Sequence, residues 1–349
     1  MKFPKSNKFE LELTSKCTIR CPKCPRTFQQ DTKHLWDNGN IDHKKLITFL
    51  QESGATDFRL TGAYGDALYH PYLVDTIKAI KEMGATFIFN TNGSYRKEED
   101  WIEIANVMTD NDLVEFSIDG TPDNFTEYRV NGDWKSIEIG MQTLQKHKAI
   151  MRWKYIIFKY NQSYEDMKTA YNCANRLGVK QFVLVHTHRA IPSQLANKEE
   201  FLENLDKLEL YVNVNFTRGD SPFLMIGVTP RTNVIKSSEI IKTTVKRQRA
   251  PTIRKDPIFT KDIFPQCINI ENYTNFVSSD GLFLPCCFMR VDKIASFEEA
   301  GINEEDIKGL SIENNTLNEI IKGTAFNKFM ENFDNMQICR THCNKNKVK

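Results

Sequence analysis

Long apolar runs are missing from this sequence. No stretch approaches the ~18 apolar residues of a transmembrane helix, and the opening MKFPKSNKFELEL has no continuous apolar segment of the secretory-signal kind. An excess of one charge is missing too. The 47 Lys and Arg face 45 Asp and Glu, a net charge of +2, so no global field for nucleic acid or another polyanion is expected. With 16 Gly and 12 Pro in 349 residues, collagen-like and low-complexity classes are excluded. What remains is a globular composition, 40% hydrophobic and 26% charged, long enough for one large domain and a smaller one. A cytoplasmic location without membrane attachment is the expectation.

Cysteine is what the chain does have. In a reducing compartment its nine cysteines are read as metal ligands or buried thiols before disulfides. Cys17, Cys21 and Cys24 form one group; Cys267, Cys286, Cys287, Cys339 and Cys343 form another near the opposite end. Cys173 stands apart, on a helical pattern with Ala170 and Leu177 that suits a small core residue.

Between residues 8 and 190, β-rich runs alternate with helical patterns. The runs are 9–14, 57–62, 86–93, 113–120, 153–161 and 182–189. HKKLITFLQESG and YLVDTIKAIKEMG lie between them; in the second, Leu73, Ile77, Ile80 and Met83 recur at helical spacing before Gly84. Six strand–helix units predict a parallel α/β architecture. Polar residues gather at the ends of the runs, where parallel strands converge on a functional face. Residues 211–262 break the rhythm with four prolines and a basic stretch, KTTVKRQRAPTIRK. That stretch reads as a solvated linker or as a contact for an acidic substrate or partner.

TSKCTIRCPKCPR follows the first run and offers three thiolates on one loop. Structural zinc takes four protein ligands, whereas three thiolates on a [4Fe–4S] cluster leave one iron open. CTIRCPKC resembles the CxxxCxxC motif of the radical S-adenosylmethionine (SAM) superfamily, and further segments fall at the strand ends where that family has them. TGAYGDALYHP resembles the Gly-Gly-Glu-Pro region, with Asp66 and Ala67 in place of Glu and Pro; NTNGS, SIDG, the Arg of EYRV, FKYNQ and VLVHTHR follow in order. The resemblance implies a partial (β/α)6 TIM-like barrel with a small C-terminal α+β iron–sulfur domain. It implies a [4Fe–4S] cluster on Cys17, Cys21 and Cys24, with SAM chelating the open iron. Contacts to SAM are implied for Gly62, Ala63, Tyr64, Gly65, Asp66, Asn90, Asn92, Ser117, Asp119, Arg129, Asn161 and Val185, with Arg129 placed for the SAM carboxylate. Family members often carry an aromatic residue before the last cysteine; here it is Lys23, so adenine contact is expected elsewhere.

The second cysteine group resembles the SPASM and Twitch extensions of the same superfamily, which hold auxiliary [4Fe–4S] clusters. SSDGLFLPCC reads as a hairpin turning at Asp280–Gly281. Five cysteines supply one cluster and one spare thiol, so the expected ligands are Cys267, Cys286, Cys339 and Cys343. Adjacent side chains in an extended run point apart, which sets Cys287 aside from Cys286. A four-ligand zinc site, with His342 able to replace a thiolate, is the alternative. His186 and His188 are read as pocket-lining residues.

The expected organisation is 1–210 radical SAM core, 211–262 linker and basic segment, and 263–349 SPASM/Twitch-like domain. The expected activity is reductive cleavage of SAM to a 5′-deoxyadenosyl radical, then hydrogen abstraction from a substrate C–H bond. The spare thiol of Cys287, or Cys173, is a candidate hydrogen donor should the outcome be epimerisation. An electron donor such as flavodoxin or ferredoxin is an implied partner. Cys17 comes too early for a preceding peptide-recognition domain, and this with the basic stretch favours a small, anionic sugar- or nucleotide-like substrate. Peptide maturation is the alternative, and a non-catalytic zinc or iron–sulfur scaffold the alternative of another class.

Overall fold

A computed structural model describes residues 7–32, 39–186, 194–208, 212–213, 224–228, 274–291, 293–333 and 335–342. Cys267, Cys343, His188 and the basic 242–255 stretch lie outside the described residues. The strands in chain order are β1 (Lys8–Leu11), β2 (Asp57–Leu60), β3 (Thr86–Thr91), β4 (Leu113–Ser117), β5 (Met151–Ile157), β6 (Gln181–His186), β7 (Val212–Asn213), β8 (Leu224–Val228), β9 (Thr274–Val277) and β10 (Phe283–Leu284). Helices α1 (Pro25–Asp31), α2 (His43–Ser53), α3 (Leu73–Glu82), α4 (Glu98–Val107), α5 (Trp134–Lys146), α6 (Tyr164–Arg176) and α7 (Lys198–Lys207) fall between the early strands. The result is an α/β fold, with all six expected strands present. The chain divides into two compact units, one made of Met1–Cys17, Leu35–Phe89 and Arg254–Lys349, the other of Thr18–His34 and Asn90–Ile253.

In the first unit β1 pairs in parallel with β2, and β2 with β3, so that Phe9, Phe58 and Phe87 share one register row. The other edge of β1 is taken by β9, also parallel, with β10 returning antiparallel beside it. Residues from the far end of the chain thus enter the same sheet as its first strand. Helix α2 begins because the Asp42 carboxylate accepts the Lys45 N–H, and ends at Gly54 with φ 68°. It buries Leu46, Phe49 and Leu50. Phe9 meets Phe49, Phe58 and Phe283 with ring centroids 6.2–6.3 Å apart, and Phe283 meets Phe326 at 5.6 Å. Edge and tilted contacts of this kind close a core shared by both ends of the chain. After β10 the chain forms the helices Lys293–Ala300, Glu304–Leu310, Leu317–Lys322 and Thr324–Asn332. Gly301 (φ 69°) and Gly323 mark breaks between them.

In the second unit β4, β5 and β6 are parallel, and β8 continues antiparallel from β6. β5 alternates cleanly: Met151, Trp153, Tyr155 and Ile157 are buried, while Arg152, Lys154 and Ile156 take the other face. Trp153 packs on Trp134 at 5.8 Å and Trp101 on Phe116 at 5.6 Å. Cys173 is buried in α6, as its helical spacing predicts. The expected strands end two to four residues early in most cases, because their polar tails leave the sheet. After β5, for example, Lys159–Asn161 form a single 3₁₀ turn.

Candidate functional site

The first unit contributes the end of β1 and the loop after β2. Thr14 accepts the Lys16 N–H through Oγ1 (3.1 Å) and donates to Asn40 Oδ1 (2.7 Å), which fixes the backbone just ahead of Cys17. On the other side the Asp66 N–H donates to the Lys16 carbonyl at 3.0 Å. Here the glycine at position 65 is required: a Cβ would lie 1.9 Å from the Thr14 carbonyl oxygen. The Ala63 N–H donates to Glu12 Oε2 at 3.2 Å. Asp66 turns its carboxylate onto the Leu68 N–H (3.0 Å), capping a 3₁₀ turn at Ala67–Tyr69. Tyr64 donates its hydroxyl to the Arg290 carbonyl (2.9 Å) and the Val291 carbonyl (3.0 Å). The structure therefore gathers Gly62, Ala63, Tyr64, Gly65 and Asp66 into one tight loop against the strand that leads to Cys17.

The second unit contributes Cys21, Cys24 and the ends of β4 and β5. The Cys24 N–H donates to the Cys21 carbonyl at 3.0 Å, and Cys24 is the N-cap of α1 with Pro25 at its first position. Cys21 is buried, and burial pushes its thiol up. Arg129 is the nearest cation: Nη1 lies 3.5 Å from Cys21 Sγ and Nε 2.7 Å from Asp119 Oδ2. Burial works against the Arg129 charge, but Asp119 and Cys21 outweigh it and raise its pKa. Asp119 also accepts the Ile156 N–H at 2.9 Å, and its carbonyl accepts Asn161 Nδ2 at 2.9 Å. Asn161 Oδ1 accepts the Phe158 N–H at 2.7 Å. Asp119, Arg129 and Asn161 thus form one buried polar network beside Cys21.

The remaining predicted contacts fall on strand ends without joining it. Asn90 donates to Glu115 at 2.6 Å, and Glu115 is also held by Arg152 and Lys154, each at 2.9 Å. Burial pushes the Glu115 carboxyl up, but those two cations prevail and hold it at about 2. Asn92 accepts the Ser94 N–H at 2.8 Å within its own loop. Ser117 is half-buried at the end of β4, and Val185 is buried near the end of β6. Sequence reasoning missed Glu12, Ser279, Asp280 and Arg290, which line the first unit's loop. Their signal was a charged residue alternating with apolar ones in FELEL and a hairpin turn rich in acceptors.

In the second cysteine group, Cys286 and Cys339 are each 6% exposed. Cys287 opens the helix Cys287–Val291, and its thiol is hydrogen-bonded to Glu10. Burial, then the neighbouring Glu10 and Cys286, push that thiol well up. Among the described residues no three His, Cys, Asp or Glu side chains already stand in a metal-holding arrangement. The donor set fits iron–sulfur ligation all the same. Among the described residues Cys17, Cys21, Cys24, Cys286 and Cys339 form no disulfide; Cys21 and Cys24 share one hydrogen-bonded turn, and Cys286 and Cys339 are buried.

Residues 267–344 match the SPASM iron–sulfur cluster-binding domain, a span that includes all five cysteines of the second group. A tungsten-containing aldehyde ferredoxin oxidoreductase cofactor-modifying protein of Pyrococcus furiosus is 28% identical over 115 residues, 32% of this chain. The matched part spans 30% of that relative's length. Among solved structures, anSMEcpe with bound AdoMet superposes with a TM-score of 0.55 at 13% identity, over 97% of this chain and 84% of that one. Streptococcus suis SuiB bound to S-adenosylmethionine superposes with a TM-score of 0.52 at 12% identity, over 82% of this chain and 61% of that one. No helix among the described residues is long and apolar enough to cross a membrane.

Proposed function

For a chain that has the radical SAM fold and carries a SPASM iron–sulfur cluster-binding domain, we propose the activity of a radical SAM enzyme that functionalises a substrate C–H bond. The observation that carries this reading is the loop Gly62–Asp66 folded against Thr14–Lys16 just ahead of Cys17, with Gly65 leaving no room for a side chain. Cys17, Cys21 and Cys24 would hold the first [4Fe–4S] cluster, and Cys267, Cys286, Cys339 and Cys343 the auxiliary one. When bound, the first cluster would supply the electron for reductive cleavage of SAM, chemistry that belongs to the cofactor.

The chain's own residues bind and orient. Gly62 and Gly65 let backbone N–H and C=O groups approach the ligand closely. Arg129 is a guanidinium suited to a carboxylate; Asp119 holds it in place, and Asn161 in turn holds the Asp119 carbonyl. Tyr128, Phe158 and Tyr160 stack in sequence, with centroids 4.2 and 5.8 Å apart, and exclude water beside that network. Cys287, engaged by Glu10, is the spare thiol in this assignment, and the boundaries 1–210, 211–262 and 263–349 are retained as the functional division.

Two substrate classes are supported by different observations. The cofactor-modifying relative favours a cofactor as substrate, and the basic 242–255 stretch favours an anionic one. SuiB bound to the precursor peptide SuiA and anSMEcpe bound to the Cp18Cys peptide favour a peptide. Reduction of the reconstituted protein with SAM tests the activity by release of 5′-deoxyadenosine. Acceleration of that release by candidate peptides or by anionic small molecules separates the two classes.

A further inference from the structure

Arg290 sits in the helix Cys287–Val291, three residues beyond Cys287, with its side chain 4% exposed. Its guanidinium reaches in several directions at once. Nη1 is 2.9 Å from Asp280 Oδ2, Nη2 donates to Ser279 Oγ at 3.2 Å, and Nε is 3.8 Å from Glu12 Oε1. The same group lies over the Tyr64 ring, 5.1 Å from its centroid. The main chain repeats the connection, since the Tyr64 hydroxyl donates to the Arg290 and Val291 carbonyls. Glu12 closes the circuit: it accepts Ser279 Oγ–H at 2.8 Å through Oε1 and the Ala63 N–H at 3.2 Å through Oε2.

Two consecutive loop residues, Ala63 and Tyr64, are thereby tied to the surroundings of one buried cation. Burying ionic groups is a poor way to gain stability, because desolvation offsets the attraction. A connected polar network instead favours one geometry. Asp280 is shared between Arg290 and Lys293, the latter at 2.6 Å, so the cation is itself held on its far side. Opposite, the Gly65 backbone abuts the Thr14 carbonyl and leaves the loop no slack.

We propose that Arg290 is a positioning residue: through Tyr64 and Glu12 it sets the conformation of the 62–66 loop relative to the cysteine-bearing segment 286–291. This rests on the reading of that loop as the SAM cradle. A lysine in its place would present one point charge and could not span Asp280, Ser279 and the Tyr64 face together.

The test compares wild type with Arg290→Met, Arg290→Lys and Tyr64→Phe. Amide hydrogen exchange of residues 62–68 is followed in the protein before cluster reconstitution, and SAM affinity and cleavage rate afterwards. The proposal expects exchange in 62–68 to rise at least tenfold in Arg290→Met and Arg290→Lys, and severalfold in Tyr64→Phe, with exchange of β2 amides unchanged. In the Arg290 variants SAM affinity should weaken at least tenfold while the cleavage rate at saturating SAM stays within about twofold, a split that a general loss of structure does not produce. Unchanged exchange in 62–68 in Tyr64→Phe, which keeps the ring and removes only the hydroxyl, overturns the proposal even if the Arg290 variants fail to fold. Faster exchange without any SAM binding by wild type upholds the positioning role and overturns the cradle reading alone.

Discussion

Arg129 places its Nε 2.7 Å from Asp119 Oδ2, with the Asp119 side chain fully buried and that of Arg129 16% exposed. Removing one partner of such a pair leaves the other desolvated and uncompensated. Asp119→Ala also deprives the Ile156 N–H of its acceptor. We expect Asp119→Ala to lower the unfolding free energy of the iron-free protein by ~3–5 kcal/mol. Arg129→Lys, which keeps a cation but loses the fork, should lose less. Urea denaturation followed by tryptophan fluorescence checks both.

Gly65→Ala should be far worse than a glycine substitution made in open space. Its Cβ would stand 1.9 Å from Thr14 O and 2.7 Å from Thr14 C, both backbone atoms, so the loop or the strand must move. Gly84 at the end of α3 has φ 72° but nothing within 4 Å of an added Cβ, and Gly84→Ala should cost only the ~1–2 kcal/mol of a left-handed residue. The expected outcome is a folded Gly84→Ala protein and a Gly65→Ala protein that unfolds at clearly lower denaturant and no longer binds SAM. Calorimetric titration with SAM and denaturation curves measure the two effects.

Glu12 predicts an unusual pH dependence. Burial outweighs the nearby Arg290 charge and the Ser279 and Ala63 hydrogen bonds, raising its pKa from 4.5 to about 7. The folded state therefore holds this proton more tightly than the unfolded state does. The contribution is fully present below pH 4.5 and is lost as the pH rises through about 7. The size is ~3 kcal/mol, from ~1.4 kcal/mol per pKa unit. Between pH 5 and pH 8, wild type should lose stability that Glu12→Gln does not lose. Parallel slopes for the two proteins would contradict this.

The adjacent cysteines make an assignment that iron analysis can check. Cys286 is buried and Cys287 is occupied by Glu10. Two four-iron clusters give about eight irons per chain. Cys286→Ala should fall toward about four, and Cys287→Ser should stay near the wild-type content.

Much of this was legible in the sequence because it is written locally. Strand alternation, helical spacing in YLVDTIKAIKEMG, the Asp280–Gly281 turn and the CxxxCxxC spacing each occupy a few consecutive residues. The structure bears out the strands and the turn, with Gly281 at φ 74°. The parallel pairing of β9 with β1 was not legible, since the two segments lie at opposite ends of the chain and leave no local mark of each other. That pairing explains why Glu12 was overlooked. Alternating with Leu11 and Leu13 it looks solvent-facing, yet with β2 and β9 on either side and the 61–66 and 278–281 loops over it, it is 1% exposed. Asp66 was legible as a motif position, but its use as the cap of a 3₁₀ turn depends on how the chain continues after it.

The central claim is that the Cys17–Cys24 loop supports reductive cleavage of SAM. The direct measurement is anaerobic reconstitution with iron and sulfide, addition of SAM and a one-electron reductant, and quantification of 5′-deoxyadenosine by mass spectrometry. The account predicts release by wild type and none by Cys21→Ala. Bound zinc without acid-labile sulfide, and no 5′-deoxyadenosine from either protein, would contradict it.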